Sequence, residues 1–517
     1  MDSKTSSKNK KILSLFGFFA LTSSMVLTVY EYPTFATSKL SLIFFVILGG
    51  LFWFLPTALV SAEMASVKGW EDGGVYSWVS NSLGKRWGFA AIFFQWFQIT
   101  VGFVTMDYFI MGALSIVFDW PALNNSPVVK FLGVLIMFWV LTFIQMLGTK
   151  YTARIAKIGF VGGILIPSVI FFILSIAYIA QGNALQISFN IKNLIPNFSK
   201  ISTLVVFTSF ILAFTGIEAS ASHVNELKNA SKNYPIAILM LVILAISLDA
   251  LGGISVAAVV PQKDLSLSAG VVQAFKSLLL HFNSHLDWLV KLLALTIVFG
   301  VIAEISSWII GPSRGVYVAA QQGLMPKVFR KVNKHGVPVP LLIAQGIVVT
   351  IWDAVLTFGG GSDNVSFLAA VSLTVVIYLV CYLLMFIAYF NLVYKKENLK
   401  RTYNVPGGKV GKTLFALAGL LTSIFAFVVS FATPSALPPQ DGKIYQVVLI
   451  CSFVVALVIP FIIYAFRKHF GNKNDDFKVK HFSSTDVNKF VRPVGRGEHY
   501  MQHELQNKKN DTNTKER

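Results

Sequence analysis

Apolar residues in this chain run in long, nearly unbroken blocks, with little of the two-residue alternation of half-buried strands or the 3.6-residue recurrence of surface helices. Twelve blocks stand out, at 11–32, 40–62, 88–118, 127–148, 154–180, 200–224, 235–260, 285–311, 339–359, 364–393, 411–432 and 444–467. A hydrocarbon layer about 30 Å thick is crossed by about 20 residues rising 1.5 Å each. Segments such as 40-LSLIFFVILGGLFWFLPTALV-60 and 444-IYQVVLICSFVVALVIPFIIYAF-466 reach that length without a charge. Backbone amides in lipid must be satisfied within the segment, so the blocks predict helices. The expected fold class is an all-α polytopic membrane protein with twelve transmembrane helices.

Two blocks carry breaks. In the first, 20-ALTSSMVLTVYEYP-33, the Ser23 and Ser24 hydroxyls compete for backbone groups. In the sixth, 213-AFTGIEASASHVNE-226, Gly216 interrupts an apolar run and is followed by Ile217 and Glu218. Interrupted helices in corresponding positions of two halves point to a transporter binding site. The first and sixth helices correspond if ten helices form two five-helix inverted repeats.

Acidic groups inside spans are costly, about 2.5–3.5 kcal/mol at a helix centre. Asp107, Glu218, Asp249, Glu304 and Asp353 are therefore singled out. Glu304 has Trp308 one turn later on the same face, a carboxyl beside an aromatic wall that suits an ammonium group. Asp107, Asp249 and Asp353 gather nothing around them in the sequence, and structural hydrogen bonds to neighbouring helices are expected for them. Tyr378 and Tyr382 share a face of the tenth block, and a mid-membrane tyrosine hydroxyl needs a partner, so Tyr378 is expected at an aqueous cavity. Tyr30 and Glu31 fall at the outer end of the first block, where an interfacial position is expected, with a part in closing the pathway as the sharper alternative.

Composition agrees with this reading: 55% of residues are hydrophobic and 13% charged. The first apolar run is expected to be a membrane span and not a cleaved leader. The net charge of +19 does not imply nucleic acid. About 23 of the 43 Lys and Arg lie on the side of the N terminus, about 8 on the other side and about 12 in the C-terminal tail. Basic loops such as 394-YKKENLKRTYNVPGGK-409 mark the cytoplasmic face, which places both termini inside. Cys381 and Cys451 fall within spans, where small apolar packing is expected. No HExxH, GxSxG, Walker A or Cys/His metal spacing is present, so neither enzyme nor ATP-driven pump machinery is visible and no cofactor is expected.

Five blocks in order carry a family resemblance: 62-AEMASVKGWEDGGVYSWVSNSLGKRWGFAAI-92, 148-GTKYTARIAKIGF-160, 216-GIEASASHVNE-226, 303-AEISSWIIGPSRG-315 and 372-SLTVVIYLVCY-382. With them the chain resembles the glutamate/GABA antiporters of the amino acid–polyamine–organocation superfamily over nearly its whole length. The resemblance implies a ten-helix inverted-repeat core over 11–393, then a linker and two further helices over 394–467. A short N-terminal tail covers 1–10 and a cytoplasmic tail 468–517. It implies uptake of glutamate against GABA, with a cytoplasmic glutamate decarboxylase supplying the GABA and consuming protons. It also implies substrate contacts at Tyr30, Glu218, Glu304, Trp308, Tyr378 and Tyr382, to which the two breaks add Ser24, Gly216 and Ile217 as expected contacts. The family's C-terminal plug, which leaves the inner pathway in acid, has an echo in 492-RPVGRGEHY-500. His481, Arg492, Arg496, His499, Tyr500 and His503 are the expected pH-responsive residues, since histidine gains charge near pH 6.5. Exchange of another amino acid or amine pair, and an amino acid sensor built on the same fold, remain the alternatives.

Overall fold

The computed structural model describes residues 14–70, 74–148, 155, 158–221, 227–359 and 361–470. Among them strand-like pairing is limited to isolated bridge positions, such as Val67 with Arg401; everything else regular is helical. The chain opens with α1 (Leu15–Val26), capped by Ser14, whose hydroxyl accepts from the Gly17 N–H at 3.1 Å. Residues 27–31 leave the helix, and α2 (Tyr32–Ala36) resumes with Pro33 in its first turn, where a missing N–H costs nothing. Then come α3 (Lys39–Ala65), α4 (Val75–Leu83), α5 (Lys85–Val117), α6 (Pro127–Met146) and α7 (Phe160–Ala180). The second half holds α8 (Phe207–Ala213), α9 (Ile217–Ala221), α10 (Ala230–Val259), α11 (Gly270–Phe282) and α12 (Asp287–Gln321). Last are α13 (Val339–Phe358), α14 (Asp363–Lys395), α15 (Gly408–Val429) and α16 (Gly442–Phe470).

Ten of these helices are long and apolar enough to cross a membrane. The first and sixth expected spans instead appear as the broken pairs α1/α2 and α8/α9. The span expected to end at 311 continues to Gln321 through Pro312, ten residues further. The first break also lies later than Ser23 and Ser24. Ser23 is helical and its hydroxyl donates to the Phe19 carbonyl at 2.8 Å, so the chain departs only after Val26.

Burial sorts the helices into layers. The most apolar stretches of α5 and α14 are 89% and 83% buried, against 28% for α6 and α16, so α5 and α14 form the centre. The outer helices turn apolar stripes outward, such as Ile136, Val140 and Phe143 on α6 and Val447, Val454 and Val458 on α16. Lipid tails are the solvent that suits those faces. Cys381 is buried as expected, whereas Cys451 is exposed on the outward face of α16, contrary to its expected packing.

Close helix approach at the centre depends on missing side chains. A Cβ on Gly163 of α7 would stand 2.5 Å from the Gly300 Cα of α12, so the two backbones touch one turn before Glu304.

At the basic-loop end, Glu63 of α3 is fully buried and gathers four donors. They are Arg401 Nη1 at 2.5 Å, Lys412 Nζ at 2.6 Å, and Tyr389 Oη and the Val405 N–H at 2.8 Å. The same α14–α15 connection pairs its backbone with that following α3, through Lys68 N–H to the Lys400 carbonyl at 2.9 Å. On its surface Lys409 sits against Glu397 and holds that carboxyl below its ordinary value. The opposite end is joined by Lys291 with Asp119 at 2.5 Å and by Ser268 with Asn124 at 2.9 Å.

Candidate functional site

The two breaks face each other across the centre. Val26, Thr28 and Tyr30 from the first, and Leu212 and Thr215 from the second, line one cavity. Its remaining wall comes from Gln98, Ile99, Gly102, Thr105 and Met106 of α5, Glu304 and Trp308 of α12, and Thr374 of α14. The space open to the centre of a water molecule is about 20 Å³, enough for one or two waters and too small for an amino acid. The second break has a local cause. Gly216 takes φ +93°, a left-handed conformation that glycine adopts without the Cβ clash of other residues, and ends α8 before α9 begins.

The polar groups on the cavity side are a carboxyl, hydroxyls, the Gln98 carboxamide and the Trp308 indole N–H. Glu304 keeps Oε2 without a hydrogen-bond donor, and the hydroxyls of Thr28 and Thr105 are also unpartnered. Glu31, 1% exposed, meets no donor in hydrogen-bonding geometry and lies close enough to Glu304 and Asp249 to repel both. No Lys or Arg lines the cavity. The arrangement can take up a positive group and donors from a guest and offers no side-chain cation to a second carboxylate.

Beside the cavity is a second polar group built around Glu218 on α9. Gln95 Nε2 donates to its Oε1 at 2.7 Å, and the Tyr378 hydroxyl donates to the same oxygen. Tyr382 donates to Oε2 at 2.6 Å and accepts from the Gly216 N–H at 3.3 Å. The two tyrosine rings stand 4.6 Å apart, and Trp53 packs its edge on Tyr382 at 4.9 Å. Trp53 is itself held by Ser423 of α15 at 2.9 Å. The carboxylate of Glu218 is thus occupied by this chain's own donors.

The expected site residues therefore divide. Tyr30, Glu304 and Trp308 share the cavity wall, while Gly216, Glu218, Tyr378 and Tyr382 form the adjoining hydrogen-bonded group with Ile217 beside them. Tyr378 does not face the cavity: it is 1% exposed and turned to Glu218. Tyr30 and Glu31 are buried and not interfacial, because the chain turns inward after the break. Asp107 has no hydrogen-bond partner, and the partner of Asp353 is Thr357 on its own helix, so the expected contacts to neighbouring helices are absent. The side chain of Ser24 and all of His481, Arg492, Arg496, His499, Tyr500 and His503 lie outside the described residues. Sequence reasoning missed Gln95, Gln98 and Thr28. The first two carried a signal, two amides one turn apart within the apolar run 93-FFQWFQIT-100.

The amino acid permease family pattern matches residues 13–459. A glutamate/gamma-aminobutyrate antiporter of Lactococcus lactis subsp. lactis (strain IL1403) is 62% identical over 493 residues, which cover 95% of this chain and 98% of the relative. The antiporter of the same name from Lactococcus lactis subsp. cremoris (strain MG1363) matches to the same extent. A probable agmatine/putrescine antiporter of the former strain is 26% identical over 360 residues, 68% of this chain and 73% of the relative.

Proposed function

Because this chain belongs to the amino acid permease family, we propose that it is an antiporter that imports glutamate in exchange for intracellular GABA. The identity to the two antiporters spans nearly both full lengths, and the observation that carries the chemistry is the cavity walled by Glu304 and Trp308 without a cation. The ammonium of the guest lies against the Glu304 carboxyl and the Trp308 ring. Its α-carboxylate takes backbone N–H groups at the helix breaks, as anions do at helix ends. With no Lys or Arg for a second carboxylate, the site selects glutamate whose side chain is protonated. That form is net neutral, as zwitterionic GABA is. Near pH 7 it is about one molecule in 500, and at pH 4–5 it is tens of per cent, given a side-chain pKa of about 4.3. Acid dependence arises in part from the solute.

Around this site we read twelve crossings, the ten long helices plus the pairs α1/α2 and α8/α9. The first ten form a 5+5 inverted repeat within 11–393, and two more helices follow within 394–467. The basic-loop end faces the cytoplasm together with both termini, and the chain resides in the cell membrane. A cytoplasmic glutamate decarboxylase supplies GABA and consumes a proton at each turnover, so the pair resists acid. Residues 468–517 form the pH-responsive plug at the inner opening.

Purified protein in liposomes, with labelled glutamate outside and GABA inside, tests the reading with pH set separately on each face. Strictly coupled, saturable exchange is expected; uptake that ignores internal GABA overturns it. The cation-free wall also suits a diamine or other amine pair, and counterflow with agmatine, putrescine, glutamine and aspartate separates that second reading.

A further inference from the structure

On α5, immediately after the cavity-lining Thr105 and Met106, stands an acid that the proposed exchange does not use. Asp107 is 0% exposed, and neither of its oxygens has a hydrogen-bond partner. Across the helix contact, Asp353 of α13 is 1% exposed. Its Oδ1 accepts from the Thr357 hydroxyl at 3.0 Å, and its Oδ2 has no partner. Both acids lie in the contact between α5 and α13, which Tyr108, next to Asp107, closes through Thr357, one turn from Asp353.

The charged and titratable groups that face the pair are Tyr108 of α5, Lys130 of α6 and Asp363 of α14. Tyr108 shares a hydrogen with Thr357 at 2.6 Å. The Lys130 ammonium rests 4.9 Å over the Tyr108 ring and is paired with Asp363, which Ser268 also contacts at 2.7 Å. The nearby cation is thus committed to another acid. An ionised carboxyl buried without a donor is costly, and two side by side more so. A proton on each removes the charge and supplies the missing donor.

We propose that Asp107 and Asp353 form a proton-binding site, separate from the solute cavity, that loads and empties at the end opposite the basic loops. The route is short. Thr357 is partly exposed, one turn nearer the helix end than Asp353, and joins that carboxyl to the Tyr108 hydroxyl. When the pair is loaded, α5 and α13 pack without repulsion. When it is emptied, two like charges meet between α13 and the helix α5 that carries Gln98, Thr105 and Met106 into the cavity.

The test compares wild type with the double variant Asp107→Asn, Asp353→Asn, whose amides keep the shape and mimic the loaded pair. GABA–GABA exchange in liposomes is suited to it, because that solute keeps one charge state between about pH 5 and 9. With interior pH clamped, the wild-type rate falls as exterior pH rises, and the double variant holds its rate at least one pH unit further. Its interior-pH profile stays unchanged. Superposable exterior profiles overturn the site. A second measurement needs no transport and stands whatever the solute is: infrared difference spectra of the purified protein titrated in pH. A buried carboxylic acid band that titrates in wild type and is lost in the double variant is expected; its persistence overturns the assignment. Replacing sodium by choline at fixed pH leaves both measurements unchanged, and a shift on adding sodium reassigns the acids to a metal cation and overturns the proton site.

Discussion

Tyr382 on α14 donates its hydroxyl to Glu218 Oε2 across 2.6 Å, while the Gly216 N–H approaches the same hydroxyl at 3.3 Å. One side chain therefore fixes both the break after α8 and the acid that follows it. Tyr382→Phe removes one of three side-chain donors to Glu218. A hydrogen bond to a charged group is worth about 1.5–3 kcal/mol. Exchange is expected to slow by about tenfold, with a lower melting temperature in detergent; an unchanged rate and melt remove Tyr382 from the positioning of this break.

Glu304 is the carboxyl that the cavity leaves without a donor on one oxygen. Glu304→Ala is expected to abolish glutamate–GABA exchange while elution on size exclusion stays that of wild type. Glu304→Gln separates charge from shape, and it should raise the KM for GABA by at least tenfold. Wild-type exchange in the Ala variant takes Glu304 out of the site.

Gly216 occupies φ +93° between two helices. An Ala there carries a Cβ into the left-handed region at a cost of about 1–2 kcal/mol. Gly216→Ala is expected to lower thermal stability by that order and to depress exchange, with Gly216→Asn milder because asparagine tolerates this conformation. Equal melts for all three proteins count against strain at the break.

The tail gives the prediction on pH. In the plug proposed for residues 468–517, protonation of the histidines as the cytoplasm acidifies would add like charge against the basic inner loops and free the opening. Deleting the chain from Val479 onward is expected to leave exchange active at neutral interior pH, where the full chain is slow. An unchanged interior-pH profile refutes the plug.

Much of this molecule was legible because membranes impose simple rules. Length and absence of charge located α5 and α14 to within three residues of the structure. Gly216 beside Glu218 marked the second break, since a glycine followed by an acid has no easy place in a continuous span. Glu304 with Trp308 was legible as an i, i+4 pair. The relation of Glu218 to Tyr378 and Tyr382 was not, because it joins residues 160 and 164 apart in the chain through the fold. Tyr378 was expected to seek water for its hydroxyl, and a carboxylate serves the same need. Glu63 escaped attention for a different reason: at the end of a span it resembles an ordinary interfacial acid, and only packing reveals it at 0% exposure with four donors.

That acid has a consequence for how the molecule can move. Arg401 lies in the strap between α14 and α15, Lys412 on α15, Tyr389 on α14 and Glu63 on α3, so a single carboxylate rivets three long rods and the strap between two of them. Those rods also carry Trp53, Tyr378 and Tyr382. The tyrosine pair consequently stands on helices tied to this rivet, and a swing that enlarges the water-sized chamber to admit a solute is expected of walls it does not reach, such as the break after α1.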